Sequence, residues 1–347
     1  MPITDQHLLT TTPPAFSASE AIAIAARHYG VQARVHPLVS ERDQNFRLDA
    51  DDGRRFTLKI SNDAESWQVI DFQNQALMHV AETDPSIPLP RVVPALDGQM
   101  NCSVEKAGKT HFVRVLSWLE GTIVHDETAN PVLARRMGRL LARLGLALKN
   151  FDHPGSNPPL LWDMKRAADL GILLDHVEEP GLRQRIAVTL DRFIHHSQPV
   201  LERLRTQVIH NDMNPGNVLR DTKRPDRIAG LIDFGDLVKS PLIIDLAVAA
   251  AYQLSDGDDP LGGALPMITG YNSTCPLQTA EMELLADLIR TRLITSLLIN
   301  SYRVTLFPEN REYLMISHDK AKNFLIKLER LKADEALMRI RSACTTG

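Results

Sequence analysis

The sequence predicts an α+β fold of two unequal lobes, and three observations carry that prediction. Strand-like segments crowd the first third of the chain, and helical periodicity dominates from about Glu120 onward. One short loop-and-strand unit, residues 208–232, interrupts the helices. The lobes are placed at 1–117, small and strand-rich, and 118–347, larger and mostly helical, with a ligand-favouring cleft between them. The length agrees, since 347 residues suggest roughly two domains of about 150 residues each.

In chain order, residues 10–14 read as a loose Thr/Pro leader. Ser17 or Ser19 can cap a helix through Ala26, because a hydroxyl there accepts an orphan N–H. Strands are predicted at 31–38, 45–48 and 55–60, the last two joined by a turn at Asp51-Asp52-Gly53. Val69, Phe72, Ala76, Leu77 and Val80, spaced by threes and fours, predict a helix over 67–81. Pro85, Pro88, Pro90 and Pro94 then end the helical pattern before a strand over 111–118. Helices follow at 133–151, 162–176, 182–204, 281–304 and 320–341.

Composition excludes several classes. With 39 basic and 43 acidic residues the net charge is −4, too balanced for a protein that neutralises nucleic-acid phosphates. Three scattered cysteines do not make a disulfide framework and fit a reducing cytoplasm. The first residues lack a basic region followed by an apolar stretch, and the apolar run at 241–254 contains Asp245. It falls short of the roughly 20 residues a membrane span needs. The expectation is a cytoplasmic protein without nucleic-acid or membrane partners, its oligomeric state unspecified.

The chemistry-bearing segment is Val208-Ile-His-Asn-Asp-Met-Asn-Pro-Gly-Asn-Val-Leu219, followed by Gly230-Leu-Ile-Asp-Phe-Gly-Asp236. Asp212, Asn217 and Asp233 place three oxygen side chains at loop ends, a set suited to a hard cation. Phosphoryl transfer uses such a set: magnesium held by carboxylate and amide oxygens, and one carboxylate facing the acceptor hydroxyl. His210, Asp212, Asn217 and Asp233-Phe234-Gly235 match the kinase template H-x-D-x-x-x-x-N, then D-F-G, in order and spacing.

These blocks, with Asp245-Leu-Ala, resemble the aminoglycoside phosphotransferase/choline kinase family, which has a bilobal protein-kinase-like fold. Ser40-Glu-Arg-Asp-Gln-Asn-Phe46, Leu58-Lys-Ile-Ser61 and Leu161-Trp-Asp-Met-Lys-Arg-Ala167 resemble its hydroxylysine-kinase-like branch. The resemblance spans residues 18–303 and implies Asp212 as catalytic base, with Asn217 and Asp233 as magnesium ligands. It implies Lys59 on the nucleotide phosphates, His210 bracing the loop and Asp245 holding it as a scaffold. The loop at 40–46 has no glycine, so nucleotide contacts fall to backbone amides or to Ser40, Asp43, Gln44 and Asn45. The lysine-pairing position of the next helix offers Asp71 or Gln73. Residues 113–119, with Leu116 and Trp118, form the expected hinge for the base.

For the acceptor, Asp236 can face a substrate ammonium, and Trp162, Asp163 and Lys165 form a second candidate set. A third is Arg290, Arg292, Asn300 and Arg303, because Arg292, Ser296 and Asn300 share a helix face and Arg suits a carboxylate. The implied function is a Mg2+-dependent kinase moving the γ-phosphate of ATP or GTP to a hydroxylated amine or amino acid. A hydroxylysine-like acceptor comes first, with choline, ethanolamine, homoserine and aminoglycosides open. The rivals are a silent nucleotide-binding module and AMP transfer.

Overall fold

The computed structural model describes residues 13–40, 42–124 and 130–345. Residues 10–12 of the expected leader, and Glu41 of the 40–46 loop, lie outside the described residues. The chain divides into two compact units, 1–120 with 153–158, and 121–152 with 159–347.

The first unit begins with helix α1 (Ala18–Tyr29). Ser17 Oγ accepts from Glu20 N at 3.2 Å, and Glu20 Oε2 accepts from Ser17 N at 2.6 Å, a reciprocal cap. Gly30 ends the helix at φ 65°, where a side chain would be strained. The strands are β1 (Ala33–Leu38), β2 (Gln44–Ala50), β3 (Arg55–Ile60), β4 (Val92–Val93), β5 (Cys102–Lys106) and β6 (Lys109–Ser117). They form an antiparallel sheet in the order β1-β2-β3-β6-β4, with β5 also on β6. Alternation sends Phe46, Leu48, Phe56, Leu58, Ile60, Val113 and Val115 into one core with Ala21, Ile24 and Ala25 of α1.

The other sheet face carries a polar row. Asn45 lies opposite Lys59, and Lys59 opposite Arg114. Helix α2 (Trp67–Thr83), capped by Ser66, reaches this row: Arg114 Nη1 donates to Asn74 Oδ1 at 3.2 Å, and Arg114 also donates to Gln73 Oε1. Residues 153–158 join through His153, which stacks on Phe72 with ring centroids 5.7 Å apart.

The second unit contains a three-stranded sheet of β7 (Thr122–Ile123), β9 (Val218–Arg220) and β10 (Ile228–Leu231). A second ribbon pairs β8 (Thr206–Ile209) with β11 (Val238–Pro241). Its helices are α3 (Pro131–Ala147), α4 (Pro180–Arg192), α5 (Gln198–Leu201), α6 (Leu242–Ala251), α7 (Ala264–Asn272) and α8 (Thr279–Leu306). The chain ends in α9 (Arg311–Glu329) and α10 (Ala333–Thr345). Among the described residues no helix is long and apolar enough to cross a membrane. The apolar run is the buried helix α6.

Three expected helices differ. Residues Met164–His176 coil more tightly, as a 3-10 helix with Gly171 at its middle, where glycine weakens an α-helix by about 1 kcal/mol. The helix expected at 182–204 widens into a π-turn at Phe193–Ser197. The one expected at 320–341 breaks at 330–332, where Leu331 turns inward, and Asp334 and Glu335 favour a new helix start.

Helices α3 and α7 meet through glycine. A Cβ on Gly270 would lie 1.9 Å from the Arg135 carbonyl oxygen, and one on Gly138 would lie 2.0 Å from that of Met267. Gly270→Ala is therefore expected to destabilise the protein by about 1–3 kcal/mol, the usual range for overpacking. Elsewhere in a helix the same change stabilises by roughly 1 kcal/mol. Urea unfolding decides the sign, and a midpoint at or above wild type would contradict this close approach.

Candidate active site

The site in the second unit is built on the connection from β8 to β9. Residues 210–217 form a loop whose far end is tied to the residue that follows β10: Ile232 N donates to Asn217 O at 2.9 Å. This brings Asn217 and Asp233 to adjoining backbone. Asn211 sits at φ 65° and Asp233 at φ 61°, left-handed positions that Asn and Asp tolerate better than most side chains.

Asp245 of α6, almost wholly buried, holds the loop's start. Its Oδ1 accepts from Asn211 N at 2.8 Å and its Oδ2 from His210 N at 3.3 Å. Burial pushes its pKa up to about 7, and the two N–H donors pull it back towards the carboxylate. His210 is also buried, with its ring edge-on to Phe234 at 4.8 Å. Burial lowers its pKa to about 4, so the imidazole stays neutral at neutral pH. Its Nδ1 accepts from Asp212 N at 3.3 Å, a bracing contact within the loop.

Asp212 is the centre. Asn214 Nδ2 donates to both its carboxylate oxygens at 3.0 Å, and Asn217 Nδ2 donates to Oδ2 at 2.7 Å and to its backbone oxygen at 2.9 Å. These bonds fix the carboxylate's orientation. Arg292 Nη2 stands 3.8 Å from Oδ1 as an ion pair. Although 21% of its side chain remains accessible, dense packing desolvates the carboxyl and raises its pKa to about 7. The negative charges of Asp236 and Asp233 add to the rise, while Arg292 and the Asn214 bond oppose it.

Asn217 turns its amide nitrogen to Asp212, and its side-chain oxygen is a donor of the kind a hard cation takes. Asp233 Oδ1 accepts from Gly235 N at 3.1 Å. Among the described residues no three His, Cys, Asp or Glu side chains gather closely enough to hold a metal by themselves. Magnesium takes hard oxygen ligands and completes its shell with water and phosphate. The hard-oxygen pair of Asn217 and Asp233 suits it.

The acceptor candidates separate clearly. Asp163, fully buried, caps the 3-10 segment through Lys165 N at 3.2 Å and accepts from Ser240 Oγ at 2.8 Å. Those bonds tie Asp163, expected as a substrate candidate, into the scaffold of this unit. Lys165 lies 3.0 Å from Asp163 Oδ2, in the same scaffold. Arg290 is bound to Asp287 at 2.9 Å and to the Leu328 carbonyl at 2.9 Å. Asn300 Nδ2 donates to Ser317 Oγ at 3.1 Å. Arg292, in contrast, is only 3% exposed and lies beside Asp212. Its guanidinium packs over Trp162 at 4.7 Å and over Tyr252 at 5.7 Å, and Nη2 donates to the Tyr252 hydroxyl at 3.0 Å. Tyr252 escaped the sequence reading because nothing local marks it, 40 residues before its partner. Asp236 contributes its charge to both Asp212 and Arg292.

In the first unit, Lys59 is nearly buried, and its ammonium lies 3.9 Å from Asp43 Oδ2. Asp71, expected as a possible partner for Lys59, instead pairs with His153 at 3.1 Å and accepts from Gln75 at 3.4 Å. The correction follows from helix geometry: residues 71 and 75 share a face, whereas 73 and 74 face Arg114. Gln44, expected on the nucleotide, is tied to the backbone of Phe16 at 2.7 and 2.8 Å. Ser40 Oγ donates to Asp43 O, and Asn45 Oδ1 is buried without a hydrogen bond among the described residues. Leu116 is buried within the sheet, and Trp118 N donates to Arg55 O at 3.1 Å while its ring faces Arg47 at 5.8 Å.

Solved structures share this architecture. An aminopropanol kinase associated with a microcompartment superposes with a TM-score of 0.66 at 21% identity, over 92% of this chain and 99% of its own. An amicoumacin kinase bound to AMP-PNP and Ca2+ gives 0.65 at 16% identity, over 88% and 94%. By sequence, the chain is 29% identical to hydroxylysine kinase of Danio rerio over 93% of this chain and 94% of that protein. Fold and loop together define the class, a small-molecule kinase of protein-kinase-like fold drawing phosphate from a nucleotide. The profile of the phosphotransferase enzyme family matches residues 34–267, and the chain belongs to that family.

Proposed function

We propose that the protein transfers the γ-phosphate of ATP or GTP to the hydroxyl of a small hydroxylated amine or amino acid, hydroxylysine-like first. The observation that carries this reading is Asp212, a desolvated carboxylate held by Asn214 and Asn217 beside the buried cation Arg292. The likeness to hydroxylysine kinase over nearly the full chain supports the acceptor class.

In this reading the lobe of residues 1–117 covers the nucleotide, with Lys59 on its phosphates. The lobe of 118–347 carries the metal and acceptor sites. Asn217 and Asp233 would hold Mg2+, which when bound would supply charge neutralisation to the transferring phosphate. Asp212 accepts a hydrogen bond from the acceptor hydroxyl, aims its oxygen at the γ-phosphorus and takes the proton as the phosphoryl group moves. Asn214 and Asn217 keep that carboxylate from rotating away. His210 and Asp245 hold the loop and touch no substrate. Catalysis here is positioning and electrostatics, without a covalent enzyme intermediate.

The test is product analysis with ATP and GTP against a panel of hydroxylysine, homoserine, aminopropanol, ethanolamine and choline. Release of the nucleoside diphosphate with a phosphorylated acceptor is the expected outcome. Pyrophosphate release would point to AMP transfer instead. Nucleotide binding without turnover across the panel would point to a silent module.

A further inference from the structure

We propose that Arg292 reads the carboxylate of the acceptor, so that the site takes hydroxylated amino acids in preference to amino alcohols. This inference rests on the kinase reading above and narrows its substrate class.

Arg292 lies mid-way along α8, 3% exposed. Its contacts are uneven. The guanidinium carbon lies 4.7 Å from the Trp162 ring centre and 5.7 Å from that of Tyr252, and Nη2 donates to the Tyr252 hydroxyl at 3.0 Å. Nε and Nη1, however, are buried with no hydrogen-bond partner among the described residues. Those two nitrogens carry three N–H donors. A buried cation with unfilled donors is an unfavourable state that an anion relieves.

Asp212 does not fill that need. It stands 3.8 Å from Nη2, beyond hydrogen-bond length, and its oxygens must face the acceptor hydroxyl. An acceptor whose hydroxyl reaches Asp212 places the rest of its short carbon chain beside Arg292. A carboxylate on that chain meets the planar donor edge, the geometry in which guanidinium binds carboxylates best.

The experiment compares matched acceptors that differ by one carboxylate: hydroxylysine against its decarboxylated diamine, and homoserine against 3-aminopropanol. Wild type, Arg292→Gln and Arg292→Lys are assayed at fixed nucleotide. Wild type is expected to favour the amino acid by at least about 30-fold in kcat/KM, the scale of a buried charge pair left without one partner. Arg292→Gln should bring the ratio near one, mainly by raising KM for the amino acid. Arg292→Lys keeps a buried charge, so it should fold where the glutamine variant does not and retain part of the preference. Equal losses for both members of a pair would make Arg292 a positioning residue for Asp212 and overturn the inference. Phosphorylation of amines in preference to amino acids would overturn it while leaving the kinase reading intact. Phosphorylation of neither member would sink both.

Discussion

Replacing Asp212 with asparagine is expected to lower turnover at least about 100-fold, the usual scale for removing a general base. Stability should not fall with it. The carboxyl is desolvated and lies near the negative charges of Asp236 and Asp233, so a neutral amide removes an unfavourable burial. Loss of activity without loss of stability would therefore separate a chemical role from a structural one. The pH profile gives a second readout. The base works only when deprotonated, and burial raises its pKa to about 7. In the free enzyme kcat/KM should rise as pH passes upward through that region and level off above it. Bound Mg2+ adds positive charge nearby and moves the limb to lower pH in the complex. The folding linkage has the opposite sense: with the folded pKa above the unfolded value near 3.9, Asp212 weakens stability as pH rises from about 4 to 7. Asp212→Asn should flatten both dependences. Wild-type turnover in the variant would remove Asp212 from the mechanism.

The core of the site is legible in the sequence because its spacing is local. Asp212 and Asn217 sit on one loop between two short strands, and Asp233 lies two residues past the end of a third. Such arrangements follow from strand ends and turns, which neighbouring residues specify. What stayed hidden depends on register and on distant contacts. Nothing near residue 44 says that its side chain bonds the backbone of Phe16, 28 residues earlier. The choice between Asp71 and Gln73 for the sheet depends on the rotation of α2 and on Arg114 lying beside Lys59 across β3 and β6. Likewise, the spacing of Arg292, Ser296 and Asn300 gave one helix face but could not distinguish its buried cation from its ordinary packing residues. The burial of Arg292 follows from Trp162 and Tyr252, supplied by two other segments. Helix ends were the weakest element, since the break at 330–332 has no glycine or proline to announce it.

Asp233 offers the second large effect, and its two substitutions should diverge. Both Asp233→Asn and Asp233→Ala remove the only charged oxygen ligand proposed for Mg2+, so each should reduce turnover by at least about 100-fold. The asparagine variant keeps an oxygen that can accept from Gly235 N, and it tolerates the left-handed backbone at φ 61°. Alanine loses the hydrogen bond and meets the steric penalty of that conformation, about 1–2 kcal/mol. Only the alanine variant should therefore show a lower unfolding midpoint. With asparagine, raising Mg2+ should recover part of the activity, because an amide oxygen still coordinates a hard cation, though weakly. Removing the Asp233 charge should also lower the pKa of Asp212, since that charge helps to raise it. The lower limb of the pH profile would then shift towards acid while the Mg2+ concentration needed for activity rises. An asparagine variant with wild-type turnover at the same Mg2+ concentration would sink the assignment, whatever happens to stability. The double comparison matters because a strained backbone and a lost metal ligand give the same inactive enzyme when alanine is tested alone.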